Sequence, residues 1–343
     1  MPSETGAPLS YQGVRASLSA SGRRTVMVEY FTLGDEVALF RVAAELAEPE
    51  VVRLPLAQEE LRRFVVTTFG HAGGVRELVS MGLEELWYAH DRLIEPLGRW
   101  SEPGDLVVLV PHGLLHYLPL HALRVDGGHL IDRNPVCYAP SASVLHAVRE
   151  RHRTRSERGS AAVFGDPRGD LPDARAEVAA VAARLGATAQ VGERVTRQAF
   201  AEAVSHADIV HFAGHARFDE TDARASGLEL AGGEMLTARD IGDMSAWLVT
   251  LSGCETGVNT RHPGDELVGL TRAFLLAGAA SLVVSRWRVA DASTAHLMRR
   301  FYEHLSRMDK ADALRQAIVD TKTDPRWTSP HHWAPFTLVG AWG

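Results

Sequence analysis

Cysteine is almost missing from this chain: Cys137 and Cys254 are the two examples in 343 residues, and they lie far apart. Such a pair builds no disulfide framework and points to a reducing compartment, which places the protein in the cytoplasm. Long apolar runs are missing too. The longest stretch low in polar residues, AFLLAGAASLVVS at 273–285, is shorter than the ~20 residues a membrane helix needs, and reads as a helix end followed by a buried strand. The opening residues, MPSETGAPLSYQGVRASLS, carry no apolar segment of the kind that marks a secretory signal. There is no basic excess either. The net charge is −7, which argues against direct nucleic-acid binding, since such proteins carry a basic field. No G-x-S-x-G elbow, P-loop, C-x-x-C pair or G-x-G-x-x-G turn occurs, which removes the commonest serine-hydrolase, nucleotide and dithiol chemistries. Neither a low-complexity tract nor a repeat in the solenoid range of roughly 20–50 residues is present.

What is present is a globular composition, 45% hydrophobic and 23% charged, long enough to bury one large core or two ordinary ones. TVMVEYFTLGDEVALFRVAA at 25–44 reads as two strands around a Gly-Asp turn, a β-hairpin. QEELRRFVVTTF and GLEELWYAHDRLIEPLGRW then carry helical spacing, the second with Leu83, Leu86, Trp87, His90, Leu93 and Ile94 on one stripe. From about Asp105 short apolar runs alternate with helical segments. DLVVLVP, AAVFGDP, TAQVG, DIVHFAG, WLVTLSG, SLVVSRW and APFTLVG read as strands, and SGLELAGGEMLT as a hairpin with a Gly-Gly turn. Ser141 and Thr196 are placed to cap helices. Alternation of this kind predicts a mostly parallel sheet covered by helices on both faces, with functional groups at strand carboxyl ends. The Arg-rich RERHRTRSERGS at 149–160 reads as an exposed linker. The expected organisation is an N-terminal hairpin and helical region over 1–100, an upstream half over 101–160 and a catalytic half over 161–343.

Two predicted strands end in reactive residues. DIVHFAGHA delivers His215 and WLVTLSGC delivers Cys254, each directly after a glycine that tolerates a sharp turn. Were the strands parallel neighbours, the imidazole and the thiol would meet at one sheet edge. A thiol of ordinary pKa needs such a base to become a nucleophile. The plain alternative for Cys254 is a small buried apolar residue, the reading that suits Cys137 in NPVCYAP. His211 and His215 do not make a metal pair, because four residues along a strand separate them by about 13 Å. His211 is expected to be an interior histidine, and no metal or other cofactor is called for.

These residues resemble the CHAT family of caspase-like cysteine peptidases, related to caspases, separase and clostripain. The resemblance runs in order from LVVLVPHGLLHYLPLHAL through IVHFAGHARFD, LVTLSGCETG and GDELVGLTRAFLLAGAASLVVSRWRVAD to WAPFTLVGAWG. It implies a caspase-like α/β/α sandwich in which the upstream half supports the catalytic half. Carried onto this chain, His215 is the general base and Cys254 the nucleophile. The backbone N–H groups of Ala216 and Cys254 form the oxyanion hole, although relatives carry glycine at the position of Ala216. SRWRVAD resembles the strand and loop that hold a peptide by β-augmentation, which makes Arg286 and Trp287 substrate-binding, with Trp287 an apolar wall. Asp291 stands where separase-like relatives carry an acid that pairs with a basic P1 side chain, and it equally suits a helix N-cap. Asp219, Glu220, Asp265 and Glu266 are competing acids on nearby loops. The implied substrate is a protein cut after Arg or Lys, in a regulated pathway of the bacterial defence or cell-death type. A separate activating protein or an upstream protease is the expected switch, with RERHRTRSER, DARAS and NTRHPGD as exposed arginine-bearing loops. A catalytically silent interaction module of the same fold, or another thiol hydrolase or acyltransferase, remains open on the sequence.

Overall fold

The structure is a computed structural model. It describes residues 8–69, 85–153, 159–217, 225–254, 265–287 and 291–343, with the backbone alone at 85–86, 253–254, 265–269 and 291.

Fifteen strands are found among the described residues: β1 (Thr25–Leu33), β2 (Glu36–Ala43), β3 (Glu50–Pro55), β4 (Leu106–Val110), β5 (Arg124–Val125), β6 (Gly128–His129), β7 (Val136–Tyr138), β8 (Ala161–Gly165), β9 (Ala189–Val191), β10 (Ile209–Arg217), β11 (Gly227–Glu229), β12 (Met235–Thr237), β13 (Leu248–Cys254), β14 (Ser281–Ser285) and β15 (Phe336–Gly340). The helices of eight residues or more are α1 (Tyr11–Ser19), α2 (Gln58–Phe69), α3 (Ala142–His152), α4 (Pro172–Leu185), α5 (Arg197–Val204), α6 (Asp265–Ala277), α7 (Asp291–Leu305) and α8 (Lys310–Thr323). Capping follows the sequence signals. Ser141 Oγ accepts from the Val144 N–H at the start of α3, and Thr196 Oγ1 from the Ala199 N–H at the start of α5.

One sheet takes in every strand except the small β5–β6 hairpin. Its path runs β12–β11–β10–β13–β14–β15–β7–β4–β1–β2–β3, and β8, with β9 beyond it, pairs with the first half of β10 on the edge away from β13, the edge whose end β11 takes. Strands β9, β8, β10, β13 and β14 run parallel to one another. Strands β15, β7, β4 and β1 form a second parallel set. The two sets meet antiparallel at β14 and β15 over five residue pairs, Ser281↔Gly340 through Ser285↔Phe336. The sheet is therefore mostly parallel, built from two blocks of opposite polarity. The central strands β4, β14 and β15 are buried along their whole length, as near-continuous Val and Leu runs require when helices cover both faces.

The N-terminal hairpin joins this sheet through the parallel β1–β4 ladder, Thr25↔Leu106 to Glu29↔Val110, and a third strand, β3, extends it at the edge. The single helical stripe expected over 83–100 is divided where it is described. A turn of helix ends at Tyr88, a 3₁₀ turn covers Asp91–Leu93, and a further turn spans Leu97–Trp100. Pro96 lacks the N–H that would carry a helix through that point. The apolar stripe survives the break, since Trp87, Leu93, Ile94, Leu97 and Trp100 are all buried. No described helix is long and apolar enough to cross a membrane.

Candidate active site

Strands β10 and β13 are parallel neighbours. Their register runs from Ile209↔Leu248 to Ala213↔Ser252 and resumes at Ala216↔Cys254. Across that step β10 spends three residues where β13 spends two, so Gly214 and His215 occupy a β-bulge. A bulge bends its strand and re-aims the side chain it carries, and it commonly lies beside active sites. The site also needs the small residue before the histidine. A Cβ on Gly214 would stand 2.9 Å from Pro167 Cδ and 3.0 Å from the Phe212 ring. His215 thus sits immediately before the residue registered against Cys254, one strand spacing away, about 4.8 Å. Of Cys254 the structure describes the backbone, at the carboxyl end of β13.

A residue that sequence reasoning missed holds the histidine. Asp170 Oδ1 lies 3.1 Å from His215 Nε2. An ionised carboxylate only accepts, so Nε2 carries the proton and Nδ1 is the nitrogen left with a free lone pair. Asp170 lies on the loop after β8, and that loop is pinned. The Asp166 N–H donates to Ala213 O at 2.8 Å, and its Oδ1 accepts from the Leu171 N–H at 2.9 Å. Arg175 Nε donates to its other oxygen. Burial alone would raise the Asp166 pKa, but the bonds from Arg175 and the Leu171 N–H hold it below the usual aspartate value. Asp166 takes a left-handed φ of 45°, which turns the chain so that Asp170 faces His215. Arg168 spans the outer side, 3.2 Å from Asp170 Oδ2 and 3.1 Å from Glu229 Oε2 on β11. The signal that would have revealed Asp170 is its place just past the carboxyl end of the strand next to the histidine strand.

Beneath the two strand ends lies a buried polar cluster. Ser252 Oγ donates to Glu177 Oε1 of α4. His211 Nε2 stands 3.0 Å from the same oxygen, at ion-pair distance but outside hydrogen-bond alignment. His211 Nδ1 meets the Tyr302 hydroxyl of α7 at 3.2 Å, and that hydroxyl lies 2.8 Å from Thr250 Oγ1. His211 is fully buried, an interior histidine that ties β10 and β13 to the helices above them. Buried polar contacts of this kind, of which only His211 Nε2 lacks an aligned hydrogen bond, favour one arrangement of the elements they join.

Of the other residues singled out in the sequence, Ala216 is buried on β10 and has no left-handed backbone. Trp287 is buried against Trp87 and Phe69, with ring centroids 5.5 and 5.9 Å away, and its Nε1–H donates to His331 O. Arg286 is buried at the end of β14 and its side chain leaves the sheet on the face opposite to Thr250 and Ser252. This follows because Thr250 registers with Val283, and Arg286 has the alternate parity. Asp291 opens α7, and its side chain lies outside the described residues, as do the side chains of Asp265 and Glu266. Asp219, Glu220 and the arginines of DARAS and NTRHPGD are also outside them, and so is part of the 149–160 linker. Cys137 is fully buried and its thiol is pushed up to about 12 by burial. Among the described residues no group of three or more His, Cys, Asp or Glu could hold a metal ion.

A helix-covered, mostly parallel sheet that brings a bulged histidine and a cysteine to adjoining strand ends defines the caspase-like class of α/β sandwich. Residues 84–341 match the CHAT domain model, and the chain belongs to the CHAT family. The curated relatives it matches include tetratricopeptide repeat protein 28 of Mus musculus, 28% identical over 305 residues, and that of Homo sapiens, 26% identical over the same length. Each alignment takes in 72% of this chain and 12% of the relative, so the chain corresponds to a small part of those proteins. Among solved structures, the Saccharomyces cerevisiae separase–securin complex is similar with a TM-score of 0.66 and 11% identity, covering 95% of this chain and 30% of the other. That likeness is one of fold.

Proposed function

We propose that this chain is a caspase-like cysteine endopeptidase in which His215 is the general base and Cys254 the nucleophile. The observation that carries the reading is the β10–β13 register, which sets the bulged His215 beside the row of Ala216 and Cys254. In the proposed reaction His215 Nδ1 takes the thiol proton, and the thiolate adds to the scissile carbonyl. The N–H groups of Ala216 and Cys254 receive the oxyanion, each worth about 3 kcal/mol in the transition state. His215 then gives the proton to the departing amine, and water cleaves the thioester to free the acid. Asp170 supports the base by holding Nε2–H, which fixes the tautomer and steadies the imidazolium formed at each half-reaction.

The finer parts of the proposal are a basic P1 residue paired with Asp291, and Arg286 and Trp287 at the end of the strand that receives the peptide. Control by a partner protein or by upstream cleavage belongs to it as well, within a regulated cytoplasmic pathway of the bacterial defence or cell-death type. Control by a partner is supported by the solved separase being bound to securin, and by relatives named for tetratricopeptide repeats.

A fluorogenic P1 peptide panel on wild-type and Cys254→Ala protein tests the function. Cleavage after Arg or Lys that vanishes in the variant is the expected result. Iodoacetamide supplies an internal standard, because buried Cys137 should label far more slowly than Cys254. Equal labelling of the two thiols under every activating condition tried would refute the nucleophile.

A further inference from the structure

A crevice enclosing about 480 Å³, its open mouth included, lies at the seam where the two parallel blocks of the sheet meet. Its walls come from both blocks: Val284 and Arg286 from β14 and its end, Thr337 and Val339 from β15, Tyr138 from β7, and His116 from the segment after β4. The register explains why they converge. Val284 pairs with Thr337, Leu282 with Val339, and Val339 with Tyr138, so these side chains share the face of the sheet from which Arg286 departs. Apart from Arg286 the walls are neutral, and mostly apolar.

Arg286 is the unusual member. It is 9% exposed. Its guanidinium lies over the Tyr138 ring at 4.6 Å, and Nη1 donates to His116 O. Its Nε–H has no hydrogen-bond partner among the described residues, and no described carboxylate stands within ion-pair distance. The nearby imidazole does not change the charge, since burial first and Arg286 second push His116 down to about 4, leaving it neutral at pH 7. The guanidinium also bonds the Tyr138 side chain. A buried cation held by a carbonyl and a neutral phenol, with no carboxylate beside it among the described residues, is costly, and proteins ordinarily pair such a group with an anion. The backbone is built to hold it there. Arg286 N–H donates to Pro335 O at 3.0 Å, and Ser285 Oγ donates to Trp287 O at 2.7 Å, closing the turn at the end of β14.

We infer that the Arg286 crevice is a binding site for a single carboxylate attached to an apolar or peptide body, received on the Nε edge of the guanidinium while the body lies against Tyr138, Val284 and Val339. One cation and a planar donor edge match a carboxylate, whereas a phosphate group would call for more donors than the described walls offer. The site is separate from the basic-P1 role proposed for Asp291. It lies on the other sheet face from the Ser252–Glu177 cluster, and by continuing the β13–β14 register it comes level with Gly253, next to Cys254. An acidic residue of a bound peptide and a free organic acid both present the required chemistry.

The test reads binding, so it stands whether or not Cys254 is a nucleophile. Thermal unfolding of the full chain is followed with benzoate against benzamide, and with acetyl-Gly-Glu-Gly-amide against acetyl-Gly-Gln-Gly-amide. Only the carboxylates are expected to raise Tm, in a saturable way. A larger effect from the peptide assigns the carboxylate to a chain segment, and a larger effect from benzoate assigns it to a small acid. Arg286→Met should abolish the response. Arg286→Lys, which keeps the charge and loses the Nε edge, should weaken it about tenfold. Equal Tm shifts from acid and amide in the wild-type protein, or none from either, would overturn the proposal even if Arg286→Met fails to fold.

Discussion

Mild acid should destabilise this protein steeply, and three imidazoles, two of them buried and His116 half-buried, set the amount. His90, His116 and His121 have pKa values pushed down from 6.5 to about 4, about 4 and about 3. Burial is the leading cause for each, reinforced by Arg92 at His90 and by Arg286 at the other two. His90 packs edge-on to Phe64, and His121 shares a bond of 3.0 Å with the Tyr138 hydroxyl. In the unfolded chain all three titrate near 6.5, so between pH 6.5 and 4 the unfolded state binds more protons and stability falls as pH falls. The contribution is complete above pH 6.5. At pH 5 each imidazole withdraws about 2 kcal/mol, and the three together withdraw up to about 6, a large share of the 5–15 kcal/mol typical of a domain. Urea unfolding followed by tryptophan fluorescence at pH 7, 6 and 5 measures this, and the midpoint should drop by about 1–2 M across the range. His90→Gln should remove roughly a third of the drop. A midpoint unchanged between pH 7 and 5, in a protein that unfolds cooperatively at both, would refute neutral burial of these side chains.

Three further outcomes are expected. Asp170→Asn should lower kcat/KM by about ten- to a hundredfold with little change in Tm, less than for a fully buried orienting aspartate because this carboxylate is 44% exposed; unaltered activity would remove it from the mechanism. Glu177→Gln should cost about 3 kcal/mol of stability by breaking the buried cluster with His211 and Ser252, visible as a lower urea midpoint, and an unmoved midpoint would show that the cluster does not hold the strands. Gly278→Ala should cost about 3 kcal/mol, since Gly278 has φ 122° and an added Cβ would stand 1.9 Å from Met244 O; a wild-type Tm would contradict the crowding.

Much of the architecture was legible because the buried strands announce themselves. LVVLV is an uninterrupted apolar run, IVHFA is broken only by His211, and SLVVS sets three aliphatics between two serines, while Ser141 and Thr196 stand where capping chemistry puts them. The hairpin at 25–44 and the Gly-Gly hairpin at 227–237 follow from turn residues. What escaped has physical reasons. Strand β3 alternates Glu50, Arg53 and Pro55 with half-exposed aliphatics, so it resembles a loop until β2 lends it a partner. Helix α1 buries only Val14 and Leu18, too thin a stripe to stand out. That His215 and Cys254 stand at the ends of strands was legible from the apolar runs and glycines before them, whereas the bulge that brings Ala216 into register with Cys254 is a matter of pairing between strands. Asp170 sits in a Pro-Arg-Gly-Asp turn that any surface loop could own, and Glu177 looks like another exposed helical acid. Their partners lie 45 and 75 residues away in sequence, at His215 and Ser252, and no local pattern encodes them.

The seam between β15 and β7 bears on how the molecule comes to be. Val339 finds Tyr138 only after about 200 intervening residues have been made, so closing that ladder carries the largest loop entropy in the sheet. The β1–β4–β7 block and the β8–β14 block can each condense on local pairings first. The last zipper, with β15 inserted between β14 and β7, is then the slow event that turns two half-sheets into one, and until it happens the open edges of both are exposed to wrong partners. A protein whose crevice for a carboxylate is lined from both blocks acquires that crevice last of all.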